Sequence, residues 1–228
     1  MYKYDLHVHT SGVSLCGHIS AAETVQRYID AGYAGICITD HYISWFFDKY
    51  DFDTWPDAAD ALLAGFRAAT EAAGTKLDII LGAELRFEDR YNASDYLVYG
   101  LSEEIIYAYP ELHKLSLPEF SDIAKKHGLL LIQAHPMRDN VMRVHLDLLD
   151  GMEVYNGHPR QNSRNEEAAR FVRGHNYILT SGSDCHAAED VGRGGILTET
   201  RIKDSIALAK VLRSGKYELI CPFDITTV

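Results

Sequence analysis

The chain predicts an α/β protein, a parallel sheet wound into a barrel-like (β/α) fold short of the usual eight units. Three features predict it: apolar, β-rich runs alternate with amphipathic segments, about seven such runs occur, and donor-type polar residues follow most of them. An open doubly wound sheet concentrates its site at one switch point, whereas a barrel gathers residues from many strand ends onto one face. Here the first, second, third, fifth and seventh runs all contribute, which favours the barrel.

The first run alternates through Tyr2, Tyr4, Leu6 and Val8 and is stopped by Ser11-Gly12. A helix follows from Ala21 to Ala31: Ser20 is placed to cap it, Glu23 to complete a capping box, Val25, Tyr28 and Ile29 to give its apolar face, and Gly32 to end it. Ile36-Cys37-Ile38 is the second strand. Trp45-Phe46-Phe47 reads as an apolar helix start or as an aromatic wall beside a site. A long helix from Trp55 to Ala73 ends at Gly74 and leads to the third strand, Ile79-Ile80-Leu81. The fourth strand runs from Tyr96 to Leu101, and a helix from Leu117 to His127 ends at Gly128 before the fifth, Leu129 to Gln133. Gly151 to Tyr155, a helix from Gln161 to Gly174, a strand through Ile178-Leu179-Thr180 and a helix from Ile202 to Arg213 complete the order.

The 228 residues suffice for one domain of this kind spanning residues 1–228, and no Pro- or Ser-rich linker or repeat divides them. A net charge of -11 disfavours nonspecific attraction to nucleic acid or to an anionic membrane, and fits an enzyme of small molecules. No stretch approaches the roughly 18 apolar residues of a membrane helix, and residues 1–10 lack a basic leader, so a cytoplasmic location is expected. Four scattered cysteines, Cys16, Cys37, Cys185 and Cys221, are expected as reduced thiols.

The chemistry concentrates at the strand ends. His7 and His9, spaced i, i+2 on a strand, point to one face, and neutral imidazole is the commonest side-chain metal ligand. Thr39-Asp40-His41, Gly82-Ala83-Glu84, Ala134-His135-Pro136 and Ser183-Asp184-Cys185-His186 each follow an apolar run. Buried acids and imidazoles are costly unless paired with each other or with a cation, so the set describes one converging site. Asp5 and Asp40 adjoin these histidines and are placed to orient an imidazole, with a helix N-cap as the alternative for Asp40. His113, His127, His145 and His175 lie in charge-rich helical stretches and read as solvated. His158 follows the sixth strand and is a candidate substrate or supporting contact.

Taken in order, these motifs resemble the PHP superfamily, the polymerase and histidinol phosphatase group of metal-dependent phosphoesterases, from Met1 to about Gly195. The resemblance implies a distorted (β/α)7 TIM-like barrel with two or three divalent ions, Zn, Mn or Fe, at the C-terminal face of the strands. It implies that His7, His9, Glu84 and Asp184 hold one ion, that Glu84 bridges to a second held by His135, and that His41 and His186 hold a third. The family places a further ligand after the first histidine pair. Cys16-Gly17-His18 offers two candidates, of which His18 is preferred because the string is similar to that of histidinol phosphatases and the other donors are N and O. Where the family often has a histidine near the fourth strand, this chain has Asp95, as a substitute ligand or a turn cap.

Such ions would lower the pKa of a shared water and neutralise the oxygens of a phosphate ester during in-line attack by metal-bound hydroxide. Charge on the outer phosphoryl oxygens calls for guanidinium, and Arg138 and Arg160 are the preferred clamps, with Arg86 and Arg193 as further candidates. The implied substrate is a small phosphorylated metabolite or nucleotide. The chain has no P-loop, no Gly-x-Gly-x-x-Gly after a strand, no Gly-x-Ser-x-Gly elbow and no His-Glu-x-x-His. Two other readings stay open: a barrel metallohydrolase acting on a non-phosphate bond, and a non-catalytic module that metals only stabilise.

Overall fold

A computed structural model describes residues 1–88, 93–142 and 146–226. The strands are β1 (Tyr2–Val8), β2 (Gly35–Ile38), β3 (His41–Tyr42), β4 (Asp78–Leu81), β5 (Ala83–Leu85), β6 (Tyr96–Tyr99), β7 (Leu130–Gln133), β8 (Gly151–Asn156), β9 (Ile178–Gly182), β10 (Gly195–Thr198) and β11 (Glu218–Ile220). The α-helices are α1 (Ala21–Asp30), α2 (Ser44–Lys49), α3 (Trp55–Ala73), α4 (Glu103–Ala108), α5 (Leu117–His127), α6 (Asn165–Phe171) and α7 (Ser205–Ser214).

The architecture is α/β, but the described residues form no closed barrel. One sheet has the order β11-β10-β1-β2-β4 and the other β3-β5-β6-β7-β8-β9. The second and third expected strands form as β2 and β4, but each is followed by a further short strand not expected, β3 beyond Thr39-Asp40 and β5 beyond Gly82, and the sheets part at those two points. Backbone hydrogen bonds bridge the parting, Gly82 N–H to Ile38 O at 2.9 Å and Glu84 N–H to Asp40 O at 3.2 Å. On the other side the backbone of β1 pairs with the chain after β9 in the isolated bridge of Val8 with Cys185. The sheets are also mixed. β6 is antiparallel to both β5 and β7; no helix lies among the described residues between β5 and β6, and a parallel return there would need a crossover.

Local sequence explains most elements. Ser20 caps α1 by accepting from Glu23 N–H, but the Glu23 carboxylate turns to Arg27, so the reciprocal half of the expected box is absent. The full capping box forms at Ser116 and Glu119 at the start of α5, and Gly128 (φ 68°) supplies the left-handed stop. Helix α6 is shorter than the expected Gln161 to Gly174, starting after Arg164, which itself has φ 47°. Trp45-Phe46-Phe47 does open a helix, α2, with Phe46 buried and the Trp45 ring edge-on to His41 at 5.5 Å.

The apolar interior includes one cluster around Leu63, Tyr96, Phe120 and Val154 and another around Tyr4, Leu6, Leu130 and Leu208. Close approach at the centre rests on Gly182: a Cβ there would stand 2.4 Å from His7 Cβ. That contact lets the end of β9 lie against β1.

Of the histidines read as solvated, His127 and His175 are exposed and His145 lies outside the described residues. His113 corrects the reading: it is 1% exposed, stacked on Phe47 with centroids 4.2 Å apart and planes 8° from parallel. Charge-rich neighbours mask an inward-facing ring. Burial, with the Lys114 charge beside it, pulls its pKa down to about 4 from 6.5, so the fold prefers the neutral ring. The unfolded chain then binds the extra proton between these values, and this contribution to stability is present above pH 6.5 and lost as pH falls toward 4. We predict that His113→Phe flattens that acid limb: urea midpoints at pH 7 and pH 5 should fall more in the parent than in the variant. Equal losses in both proteins would contradict the assignment.

Candidate metal centre

Glu84, buried in β5, stands at the middle of the site. Its Oε1 lies 3.3 Å from His7 Nε2 and 3.0 Å from His135 Nε2, and its Oε2 lies 3.4 Å from His9 Nε2 and 3.0 Å from His41 Nδ1. One carboxylate thus faces four imidazoles, two on each oxygen. Asp184 supplies a second acidic centre, with Oδ1 3.4 Å from both His7 and His9 Nε2 and 3.3 Å from His186 Nδ1. Donor atoms within 4.8 Å of one another fall into four sets: His7-Glu84-His135, His7-His9-Asp184, His9-His41-His186 and His158-Asp184-His186. The structure therefore brings together seven of the eight expected ligands, and adds His158. His18 is exposed and belongs to none of these sets, although it lines the cavity above them.

The backbone aims these groups. His135 and Asp184 leave their strands with φ of 29° and 50°, a region costly to side-chain-bearing residues, which turns both out of the sheet toward the centre. Asp5 fixes the approach of β1 to the Asp184 turn: its Oδ1 accepts from Ser183 N–H at 3.0 Å and from His7 N–H at 3.2 Å, while Ser183 Oγ and Tyr28 OH donate to Oδ2. It touches no imidazole. Burial nevertheless lifts the Asp5 carboxyl to about 6, against the hydrogen bonds from Ser183 and its neighbours.

Two imidazoles are set by partners on their far nitrogens. His7 Nδ1 lies 2.9 Å from Glu153 Oε1, whose other oxygen accepts from His135 N–H at 2.9 Å. A carboxylate there favours the proton on Nδ1, so that the neutral ring presents its Nε2 lone pair to the centre. His9 Nδ1 lies 3.0 Å from Ser14 Oγ, and Ser14 donates its one proton to Asp40 Oδ1 at 2.7 Å. Ser14 must then accept from His9, again leaving Nε2 free. Asp40 so acts on an imidazole through Ser14 and caps no helix.

The ionisation pattern shows what the centre demands. Burial works against a charged His7, but Asp184, Glu153 and Glu84 outweigh it and hold its pKa well above the usual range. His41 is likewise raised, with Glu84 overcoming burial. His9 goes the other way, pushed well below by burial and by His186 and His41. Glu84 and Asp184 stay ionised: burial opposes this, and His7 is the largest of the charges that overcome it. His7 Nε2, His9 Nε2 and His41 Nδ1 are buried without hydrogen-bond partners. Converging unpartnered ring nitrogens beside ionised carboxylates fit divalent ions that accept N and O donors.

Above the centre lies a cavity of about 660 Å³ lined by Glu84, Asp184, Arg86, Arg138, Arg160 and others. Arg138, 13% exposed, donates from Nη2 to Asp184 Oδ2 at 2.7 Å and to Asn156 Oδ1 at 2.9 Å, and from Nε to Ser163 Oγ at 3.1 Å. Arg160 is 41% exposed and gives both terminal nitrogens to Asp190, at 2.7 and 2.6 Å, with Glu189 at 3.1 Å. Arg193 does not line the cavity. The Cys16 thiol lies on the wall, where burial would raise its pKa but hydrogen bonds with His186 and His41 bring it down to about 6. Glu153 and Ser14 were missed from sequence. The signal for Glu153 was parity, an acid between Met152 and Val154 inside an apolar strand.

A cluster of imidazoles and carboxylates at the strand ends of a mixed α/β fold is the mark of a candidate metal centre. The PHP domain model matches residues 5–205, and the chain belongs to the PHP domain family. Solved structures agree in fold. A two-domain protein from Bacteroides vulgatus, described as containing a predicted PHP-like metal-dependent phosphoesterase, is 18% identical with a TM-score of 0.67 over 96% of this chain and 64% of its own. This chain thus spans under two thirds of that protein's length. PsfC from Pseudomonas syringae is 16% identical with a TM-score of 0.65 over 92% and 88% of the two chains. An amidohydrolase from Chromobacterium violaceum, solved with sulfate and no metal, is 15% identical with a TM-score of 0.57 over 98% and 99%. No curated protein matches the chain.

Glu153 yields a prediction. Glu153→Gln keeps the shape but removes the charge that orients His7, so metal affinity should fall by about tenfold to a hundredfold with the fold intact. Competition against a graded set of chelators, with circular dichroism as the check on folding, measures it. Unchanged affinity would show that Glu153 only fills space.

Proposed function

We propose that the chain is a metal-dependent phosphoesterase that hydrolyses a phosphomonoester of a small metabolite or nucleotide. The observation that carries this reading is Glu84 buried between two pairs of imidazoles, directly below a cavity that also presents Arg138. His7, His9, Glu84 and Asp184 would hold one divalent ion and His135 with Glu84 a second, with His41 and His186 available for a third. Zn, Mn or Fe each accept such donors. When bound, the ions would acidify a water and neutralise phosphoryl oxygens.

The chain's own residues would do the rest. Arg138, held by Asp184, Asn156 and Ser163, is preorganised to meet charge on the outer phosphoryl oxygens. Arg160 is a weaker candidate, since Asp190 and Glu189 already engage both of its terminal nitrogens. The cavity suits a substrate larger than phosphate itself, within the usual range of roughly 300–1,000 Å³ for ligand pockets. The Chromobacterium violaceum neighbour is named an amidohydrolase, which keeps C–N hydrolysis as the alternative outcome.

The protein should release phosphate from p-nitrophenyl phosphate and from some phosphorylated metabolites while leaving amides and lactones intact, and should carry two or three transition-metal ions per chain by elemental analysis. Hydrolysis of amides without phosphate release, or less than one ion per chain after reconstitution, would refute the reading. Because Glu84 serves both sets of imidazoles, Glu84→Ala should cost at least as much activity as His41→Ala.

Arg138→Ala should lower kcat/KM by about tenfold to a thousandfold, the range for one preorganised donor to the transition state. Lys should restore only part of it, because a point charge cannot be held in place by Asp184, Asn156 and Ser163 as the planar fork is. Arg160→Ala should cost less than Arg138→Ala. The reverse order in steady-state kinetics would move the clamp to Arg160.

A further inference from the structure

Asp95 stands at the edge of the centre yet belongs to none of its donor sets. It is buried immediately before β6, and its Oδ2 lies 3.8 Å from His135 Nε2, the atom that is itself 3.0 Å from Glu84 Oε1. A carboxylate there is placed to be the next donor to the set His7-Glu84-His135. Both of its oxygens are instead taken by Arg86, Nε to Oδ1 and Nη2 to Oδ2, each at 2.6 Å. This is the bidentate fork that matches guanidinium to carboxylate, among the strongest of side-chain pairings.

On the reading above, we propose that Arg86 withholds Asp95 from the metal centre, so that the second ion, the one assigned to Glu84 and His135, is bound more weakly than the nearby donors would otherwise permit. Two effects act together. The fork occupies the lone pairs a cation needs, and the guanidinium, which stays charged at any physiological pH, repels a divalent ion a few ångströms away. With Arg86 the pair carries no net charge; without it, the site gains a full negative charge. Arg86 is 35% exposed and lines the cavity, so it is not locked in a core and can be replaced without leaving a void.

The test is calorimetric titration of the metal-stripped full chain with Mn²⁺, comparing the parent with Arg86→Gln, Asp95→Asn and the double variant, each checked for folding by circular dichroism. Arg86→Gln should bind its second ion about tenfold to a hundredfold more tightly than the parent, the scale on which neighbours of metal ligands act. Asp95→Asn should bind no more tightly than the parent. In the double variant the gain should vanish, since the pair is again neutral and the carboxylate is gone. Arg86→Lys, which keeps the charge but not the fork, should fall between parent and Gln, and it decides the matter if the Gln variant does not fold. Parent-like affinity in Arg86→Gln, or in Arg86→Lys where that variant decides, or a gain that persists in the double variant, overturns the proposal. If the parent itself binds no ion and releases no phosphate, the functional reading above fails instead. If the parent binds ions and hydrolyses phosphoesters but the affinity order is wrong, only the role of Arg86 fails.

Discussion

The structure depends on one buried carboxylate. Glu84 has almost no access to water, and four imidazoles surround it at 3.0 to 3.4 Å. An ionised acid in such a place is costly unless positive charge meets it. Asp184 and Glu153 add two more buried acids, and Arg138 is the one guanidinium paired with any of the three among the described residues. The remaining demand falls on the histidines, which is why His7 and His41 are held above their usual range. Divalent ions among the same atoms would satisfy that demand without protons, and binding would release the protons the rings hold.

The fold makes this cluster possible by departing from a regular barrel. A strand that ran unbroken through Asp40 and His41 would alternate them to opposite faces and keep both in the pleat. The break at Thr39-Asp40 frees the Asp40 carboxylate to accept from Thr10 and Ser14, and so to set His9 from behind. The break at Gly82 places β5, with Glu84 at its middle, in the second sheet between β3 and β6. On the opposite side, Gly182 allows β9 to approach His7 closely enough that Asp184 can share its imidazole, and Asp5 ties the two segments together. The parting of the sheets and the crowding of donors are two views of one constraint.

Much of this was legible in the sequence because the donors follow apolar runs at fixed offsets. His7 and His9 share a face by strand parity, and Glu84, His135 and Asp184 each end a run that can only be a buried strand. Helices with caps and glycine stops, such as Leu117–His127, were legible to the residue. The antiparallel β6 was not, because the strand pattern of Tyr96–Tyr99 says nothing about its direction and only the missing crossover helix does. The antiparallel strands β10 and β11 and the short helix α4 carry too few residues for a periodicity to show. Pairings between distant residues were also hidden. Nothing in the string joins Arg160 to Asp190, or shows that His113 faces Phe47 instead of water.

The three arginines on the cavity wall show how a shared residue type takes different roles from its acid partner. Arg138 rests on Asp184, a residue of the centre itself, which on the proposed function puts its charge where phosphoryl charge would develop. Arg160 rests on Asp190, whose carboxylate also accepts from His186 N–H and Ala187 N–H, so it braces the turn that carries His186. Arg86 rests on Asp95, at the margin between cavity and centre. Each guanidinium is equally charged, and the partner decides whether that charge serves substrate, scaffold or metal. On the proposed function, the carboxylate behind each arginine, more than its place after a strand, separates the candidate clamp from the rest.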